Sequence, residues 1–225
     1  MKSGIKNNNE GVPHGMGVDS KTLLIIGDSI SVHYAPYLEQ HLAGRIECVK
    51  KSGTGAALAN LDVPLGANWG DSTMVRERLR KSKLLEAFSI DLALVNCGLH
   101  DIKRSVAGGE CQVPLALHRA NLEQIAAPFA RAKIALTWAT TTPVDDERHA
   151  RLMKDFLRFD RDCLEYNAVA DEVMRRRNVP MIDLYEFTKL LGPGIFEDHV
   201  HFMPLIRGKQ AQFIANRLLA WRSKA

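Results

Sequence analysis

The chain has 225 residues, 46% of them hydrophobic and 25% charged. That suits one globular domain with a sizeable core and excludes wholesale disorder, collagen and coiled-coil rods. The net charge of +4 is a mild excess of 30 Lys and Arg over 26 Asp and Glu. The basic runs at 76–83 and 175–177 lie in helix-like sequence and read as solvated faces, so no nucleic-acid partner is expected.

The four cysteines, Cys48, Cys97, Cys111 and Cys163, form no C-x-x-C pair and frame neither zinc nor disulfides. Reduced thiols and the absence of an apolar run of about 18–20 residues predict a cytoplasmic chain without membrane association. Residues 1–20 hold Asn7, Asn8, Asn9 and four glycines and lack the apolar stretch of a secretory signal. They are expected to form a flexible leader ahead of a single domain over 21–225.

An apolar run at 22–26 closes on Gly27-Asp28-Ser29 and reads as a buried parallel strand. Residues 30–42 have helical character, with Pro36 placed in the first turn. A second strand is predicted at 45–49. Residues 50–73, rich in Gly with Asn and Trp interspersed, read as a long functional loop. A helix with outward basic residues is predicted at 75–88, a third strand at 90–96, and a polar loop at 101–113. Pro114 opens a helix in which Leu115, Leu122, Ile125, Ala126 and Phe129 recur at helical spacing. A fourth strand is predicted at 133–139. Leu152, Phe156, Phe159, Cys163, Tyr166, Ala170 and Val173 mark one face of a long helix, followed by a fifth strand at 179–183. Residues 192–204 read as a loop, and Ile206, Phe213, Ile214, Leu218 and Trp221 as a closing helix. Five alternations of strand and helix predict a three-layer α/β/α sandwich around a five-stranded parallel sheet.

In such a sheet the segments after the strands share one edge, where ligands bind. They are Gly27-Asp28-Ser29, Gly53-Thr54-Gly55, Gly98-Leu99-His100-Asp101 and Asp198-His199-Val200-His201. This set suits acyl transfer. A Ser hydroxyl needs a base to become a nucleophile, and His201 supplies one that titrates near neutrality. Asp198, three residues earlier, can hold the other ring nitrogen. The backbone N–H groups of Ser29 and Gly55 and the ring N–H of His100 are candidate donors to an oxyanion, with Gly53 an alternative to Gly55. Asp28, Asn68 and Trp69 are candidate substrate contacts, and Trp138 a further one for lining the pocket.

In these four blocks the chain resembles the SGNH, or GDSL-type, hydrolases, from about Thr22 to Trp221. The resemblance implies a flavodoxin-like sandwich, Ser29 as nucleophile, and Asp198 and His201 as the Asp-x-x-His pair. It also implies hydrolysis of esters of lipids, small acids or acetylated sugars, with no metal or other cofactor. The third block departs from the family pattern Gly-x-Asn-Asp, in which the Asn donates to the oxyanion: here His100 takes its place. The expected partner is therefore a small-molecule ester or acylated carbohydrate.

Two other readings stand beside this one. A flavodoxin-like protein without catalysis would cradle an anion or nucleotide at Gly27-Asp28-Ser29. A metal-dependent hydrolase would use Asp198, His199 and His201 as ligands. His33, His118 and His149 read as surface or partly buried polar residues, and Arg158-Phe159-Asp160 as a weak ion pair on a helix surface.

Overall fold

The computed structural model describes residues 21–82, 84–87 and 89–222; the expected leader at 1–20 lies outside them. The chain runs β1 (Lys21–Ile26), α1 (Ser29–Leu42), β2 (Ile46–Lys50), α2 (Thr54–Ala59), α3 (Ser72–Lys81), α4 (Leu84–Ala87), β3 (Leu92–Val95), β4 (Arg104–Ser105) and α5 (Leu115–Arg131). It continues with β5 (Ala135–Ala139), α6 (Asp146–Leu152), β6 (Phe156–Leu157), α7 (Asp160–Arg176), β7 (Met181–Ile182), α8 (Leu184–Lys189) and α9 (Pro204–Arg222).

Five strands form a parallel sheet in the order β2-β1-β3-β5-β7. Alternation along β1 divides the core. Leu23 and Ile25 join a cluster with Leu38 and Leu42 of α1 and Ile214 and Leu218 of α9. Leu24 and Ile26 face the other way, against Val75 of α3, Leu122 and Phe129 of α5 and Val173 of α7. Successive strand residues point to opposite faces, so a strand covered on both sides must be apolar throughout. This is the expected three-layer α/β sandwich.

Several local expectations give way. The long helix expected across 152–173 is broken: α6 ends at Leu152, and Phe156 and Leu157 pair antiparallel with Ser105 and Arg104 of β4. Phe156 leaves the helical face and packs under Lys103 and Arg158 as an aromatic platform for cations. The long loop at 50–73 contains α2, and the polar loop at 101–113 contains β4. The helix expected at 75–88 ends at Lys81, with α4 separate from it. The fifth strand shortens to Met181–Ile182, and α8 comes next because the Asp183 side chain caps it by accepting from Glu186 N. Pro36 lies inside α1, roughly two turns past its start, where its missing N–H leaves one helical bond unmade.

Trp138 is fully buried in the second cluster under the sheet, so it lines no pocket at the strand ends. His118, His149 and Arg158, expected at or near the surface, are buried. All four cysteines are free.

Candidate active site

Ser29 is the first residue of α1. Asp28 caps this helix, its Oδ1 accepting from Ile30 N at 3.0 Å, while its carbonyl accepts from Ser31 Oγ at 2.7 Å. The cap leaves the Ser29 N–H in the first turn without a helical partner and at the positive end of the helix. Burial pushes the Asp28 carboxyl up to about 6, against the lowering effect of the Ile30 N–H and the charge of Arg158. Asp28 thus acts on the start of the helix that carries Ser29.

Ser29 Oγ lies 2.8 Å from His201 Nε2, and His201 Nδ1 lies 2.7 Å from Asp198 Oδ2. The other Asp198 oxygen accepts from Val200 N at 2.9 Å and His201 N at 2.7 Å. Burial works to raise the Asp198 pKa. The His201 hydrogen bond and charge and the two backbone N–H groups outweigh it, leaving the carboxyl well below its usual range. An ionised carboxylate only accepts, so the His201 proton sits on Nδ1 and Nε2 is free to accept from Ser29. His33, one turn along α1, sets its ring edge-on to His201 with centroids 5.3 Å apart. Burial, helped by the charges of Arg207 and His201, holds His33 down to about 4, so it adds no positive charge there at neutral pH.

Gly55 is exposed in the first turn of α2, and a side chain there would meet nothing within 4 Å. Gly53 has a structural task. It caps α2 at φ +89, and its carbonyl accepts from Ala57 N and Ala67 N. His100 is buried, and burial with the charges of Arg158 and Lys103 keeps its pKa well below the ordinary value, so the ring is neutral at pH 7. Its Nε2 lies 3.5 Å from Asn68 Nδ2. Asn68 is oriented by Gly70 N, which donates to its Oδ1, and by the Leu61 carbonyl, which accepts from its Nδ2. Asp101 anchors the block from behind, accepting from Ser72 N at 2.9 Å and from Ser72 Oγ, and facing His118 Nδ1 at 2.8 Å.

A model of the GDSL-like lipase/acylhydrolase family matches residues 25–204. The chain belongs to that family. Among solved structures, the lipase/acylhydrolase from Enterococcus faecalis is 20% identical, with a TM-score of 0.65 over 88% of this chain and 95% of that one. The psychrotrophic esterase EstA from Pseudoalteromonas sp. is 12% identical, with a TM-score of 0.64 over 91% of this chain and 100% of that one. Est24, a carbohydrate acetylesterase from Sinorhizobium meliloti, is 11% identical, with a TM-score of 0.60 over 90% of this chain and 100% of that one. At these identities the likeness is one of fold. No curated protein matches the chain. Membership makes this GDSL-like acylhydrolase an ester-cleaving enzyme and sets aside the reading as a binding protein without catalysis.

The remaining candidates divide. Asn68 is fully buried beside His100, so it acts on that ring. Trp69 is also buried, packed in the second core cluster with its backbone N–H donating to the Gly27 carbonyl. Among the described residues, Asp198, His199 and His201 bring ligand atoms within 4.8 Å of one another. Both nitrogens of each ring are already engaged: His201 with Asp198 and Ser29, His199 with His149 and Asp62. A cation there would have to break those bonds, including the one to Ser29. A cavity of about 660 Å³ lined by Lys21, Leu92, Leu136, Val179 and Trp221 lies at the opposite edge of the sheet, by the strand starts.

Three members of this neighbourhood, Asp62, His149 and Arg158, were not expected from the sequence. Arg158 Nε donates to the Leu99 carbonyl at 2.8 Å, and its Nη1 and Nη2 face Asp62 Oδ1 at 3.3 and 3.4 Å. Nothing in the local sequence signals that contact, because Asp62 and Arg158 are 96 residues apart. No helix among the described residues is long and apolar enough to cross a membrane.

Proposed function

We propose that this acylhydrolase is a serine esterase of small acyl groups, acetyl groups on carbohydrates among them, working through an acyl-enzyme. Ser29 Oγ attacks the ester carbonyl as its proton passes to His201 Nε2. Asp198 holds the imidazolium that forms. The N–H groups of Ser29 and Gly55 and the neutral His100 ring receive the charge on the carbonyl oxygen. His201 returns the proton to the leaving alkoxide, and the alcohol departs. Water then gives a proton to His201 and attacks the acyl-Ser29, releasing the acid and restoring the hydroxyl.

The observation that supports this reading best is the unbroken chain from Ser29 Oγ through His201 to Asp198, with contacts of 2.8 and 2.7 Å. The likeness to Est24, described as a carbohydrate acetylesterase, favours acetylated sugars within it. A panel of p-nitrophenyl esters of increasing chain length, run beside acetylated xylan and acetylated glucose, tests the substrate class. The expected result is a kcat/KM highest for acetate, with acetate release from at least one sugar. Highest activity on long acyl chains with no release from any sugar would overturn it.

A further inference from the structure

Behind the proposed triad runs a second chain of polar side chains that acyl transfer does not use. His149 Nε2 lies 3.3 Å from the Phe156 carbonyl, His149 Nδ1 lies 3.1 Å from His199 Nδ1, and His199 Nε2 lies 2.9 Å from Asp62 Oδ2. Arg158 closes the chain at the other Asp62 oxygen. We propose that Asp62, His199 and Arg158 are positioning residues for ester hydrolysis, locking the stretch between α2 and Asn68 against the loop that carries His201. The inference rests on the triad reading above.

Each link touches a segment that supplies a reacting group. Asp62 lies on the stretch that returns to Gly53 through Ala67 N, and Gly53 begins the turn that presents Gly55. Gly66 packs so closely there that an added Cβ would stand 2.0 Å from the Gly53 carbonyl oxygen. Arg158 holds the Leu99 carbonyl, next to His100. His199 is two residues before His201, and their rings meet edge-on with centroids 5.7 Å apart. One buried guanidinium and one carboxylate thus tie the candidate oxyanion donors to the base.

The clamp carries charge where it meets the guanidinium. Burial works to raise the Asp62 pKa, but the His199 hydrogen bond and the charge of Arg158 leave it well below the usual range, so Asp62 is a carboxylate at neutral pH.

Steady-state kinetics on p-nitrophenyl acetate test the clamp. Asp62→Asn should lower kcat about tenfold with KM little changed. His199→Ala should do the same, and His199→Gln, which keeps a donor to Asp62, should recover most of that loss. Equal kcat in wild type, His199→Ala and Asp62→Asn overturns the positioning role. Fluorophosphonate labelling separates the two layers: labelled Ser29 with unaltered variant kinetics refutes the clamp alone, whereas an unlabelled wild type refutes the triad beneath it.

Discussion

Ser29 and His201 stand 172 residues apart in the chain, and their side chains meet at 2.8 Å. The parallel sheet brings them together. α1 starts where β1 ends, and the loop before α9 returns to the same edge. Neither side chain has that chemistry alone, because a hydroxyl at its ordinary pKa is a weak nucleophile.

The role assigned to Asp198 predicts a large effect from a small change. Asp198→Asn keeps the shape but accepts more weakly and can donate, so the His201 tautomer is no longer held. The expected loss in kcat is about 10²–10⁴-fold with KM little altered, measured on p-nitrophenyl acetate. A loss under about threefold would remove Asp198 from the charge-stabilising role.

His100 in the third block predicts a graded series. His100→Asn keeps an N–H donor and should retain substantial activity. His100→Ala should lose roughly 10²-fold or more in kcat. Steady-state kinetics decide it, and an alanine variant with full activity would take His100 out of the oxyanion site.

The two glycines after β2 should behave differently. Gly53→Ala places a side chain at φ +89, 2.8 Å from Gly66 Cα, and should lower Tm. Gly55→Ala meets nothing within 4 Å and should fold normally. If substrate approaches the Gly55 N–H, the added methyl will raise KM or lower kcat despite an unchanged Tm. Normal kinetics would move the donor elsewhere.

Asp28 predicts a stability change with pH. Burial raises its folded pKa to about 6 from an ordinary 3.8. The folded state therefore binds more protons than the unfolded one between those values, and stability falls as pH rises through that window. Asp28→Asn keeps a cap for Ile30 N and removes the buried charge. It should raise stability by about 2 kcal/mol at pH 7 and by much less at pH 4. Urea unfolding at the two pH values checks it, and an equal effect at both would contradict the assignment.

Much of this architecture was readable from the order of the short apolar runs and from the polar segment that ends each one. β1 over its buried residues 23–26 and β3 throughout are apolar because both faces are covered, and that pattern survives in one sequence. Gly27-Asp28-Ser29 and Asp198-x-x-His201 could be placed at one edge for the same reason. The split between α6 and α7 was hidden because Phe156 and Phe159 fall at helical spacing while Phe156 belongs to β6. Arg158 was illegible in another way. A charged residue close to an acidic one on a helix-like stretch reads as solvated, yet its partner Asp62 comes from a distant loop and the guanidinium is buried. Trp69 and Asn68 looked like ligand contacts in a polar, Gly-rich stretch. Both are buried, Trp69 in the second core cluster and Asn68 against the His100 ring, and the sequence showed neither partner.

The central claim is that Ser29 is the activated nucleophile. A fluorophosphonate probe followed by peptide mapping tests it most directly. A single adduct on Ser29 is expected in the wild type, none in Ser29→Ala, and labelling slowed by at least about 10²-fold in His201→Ala. Absence of an adduct from active enzyme, or an adduct on another residue with Ser29 unmodified, would contradict it.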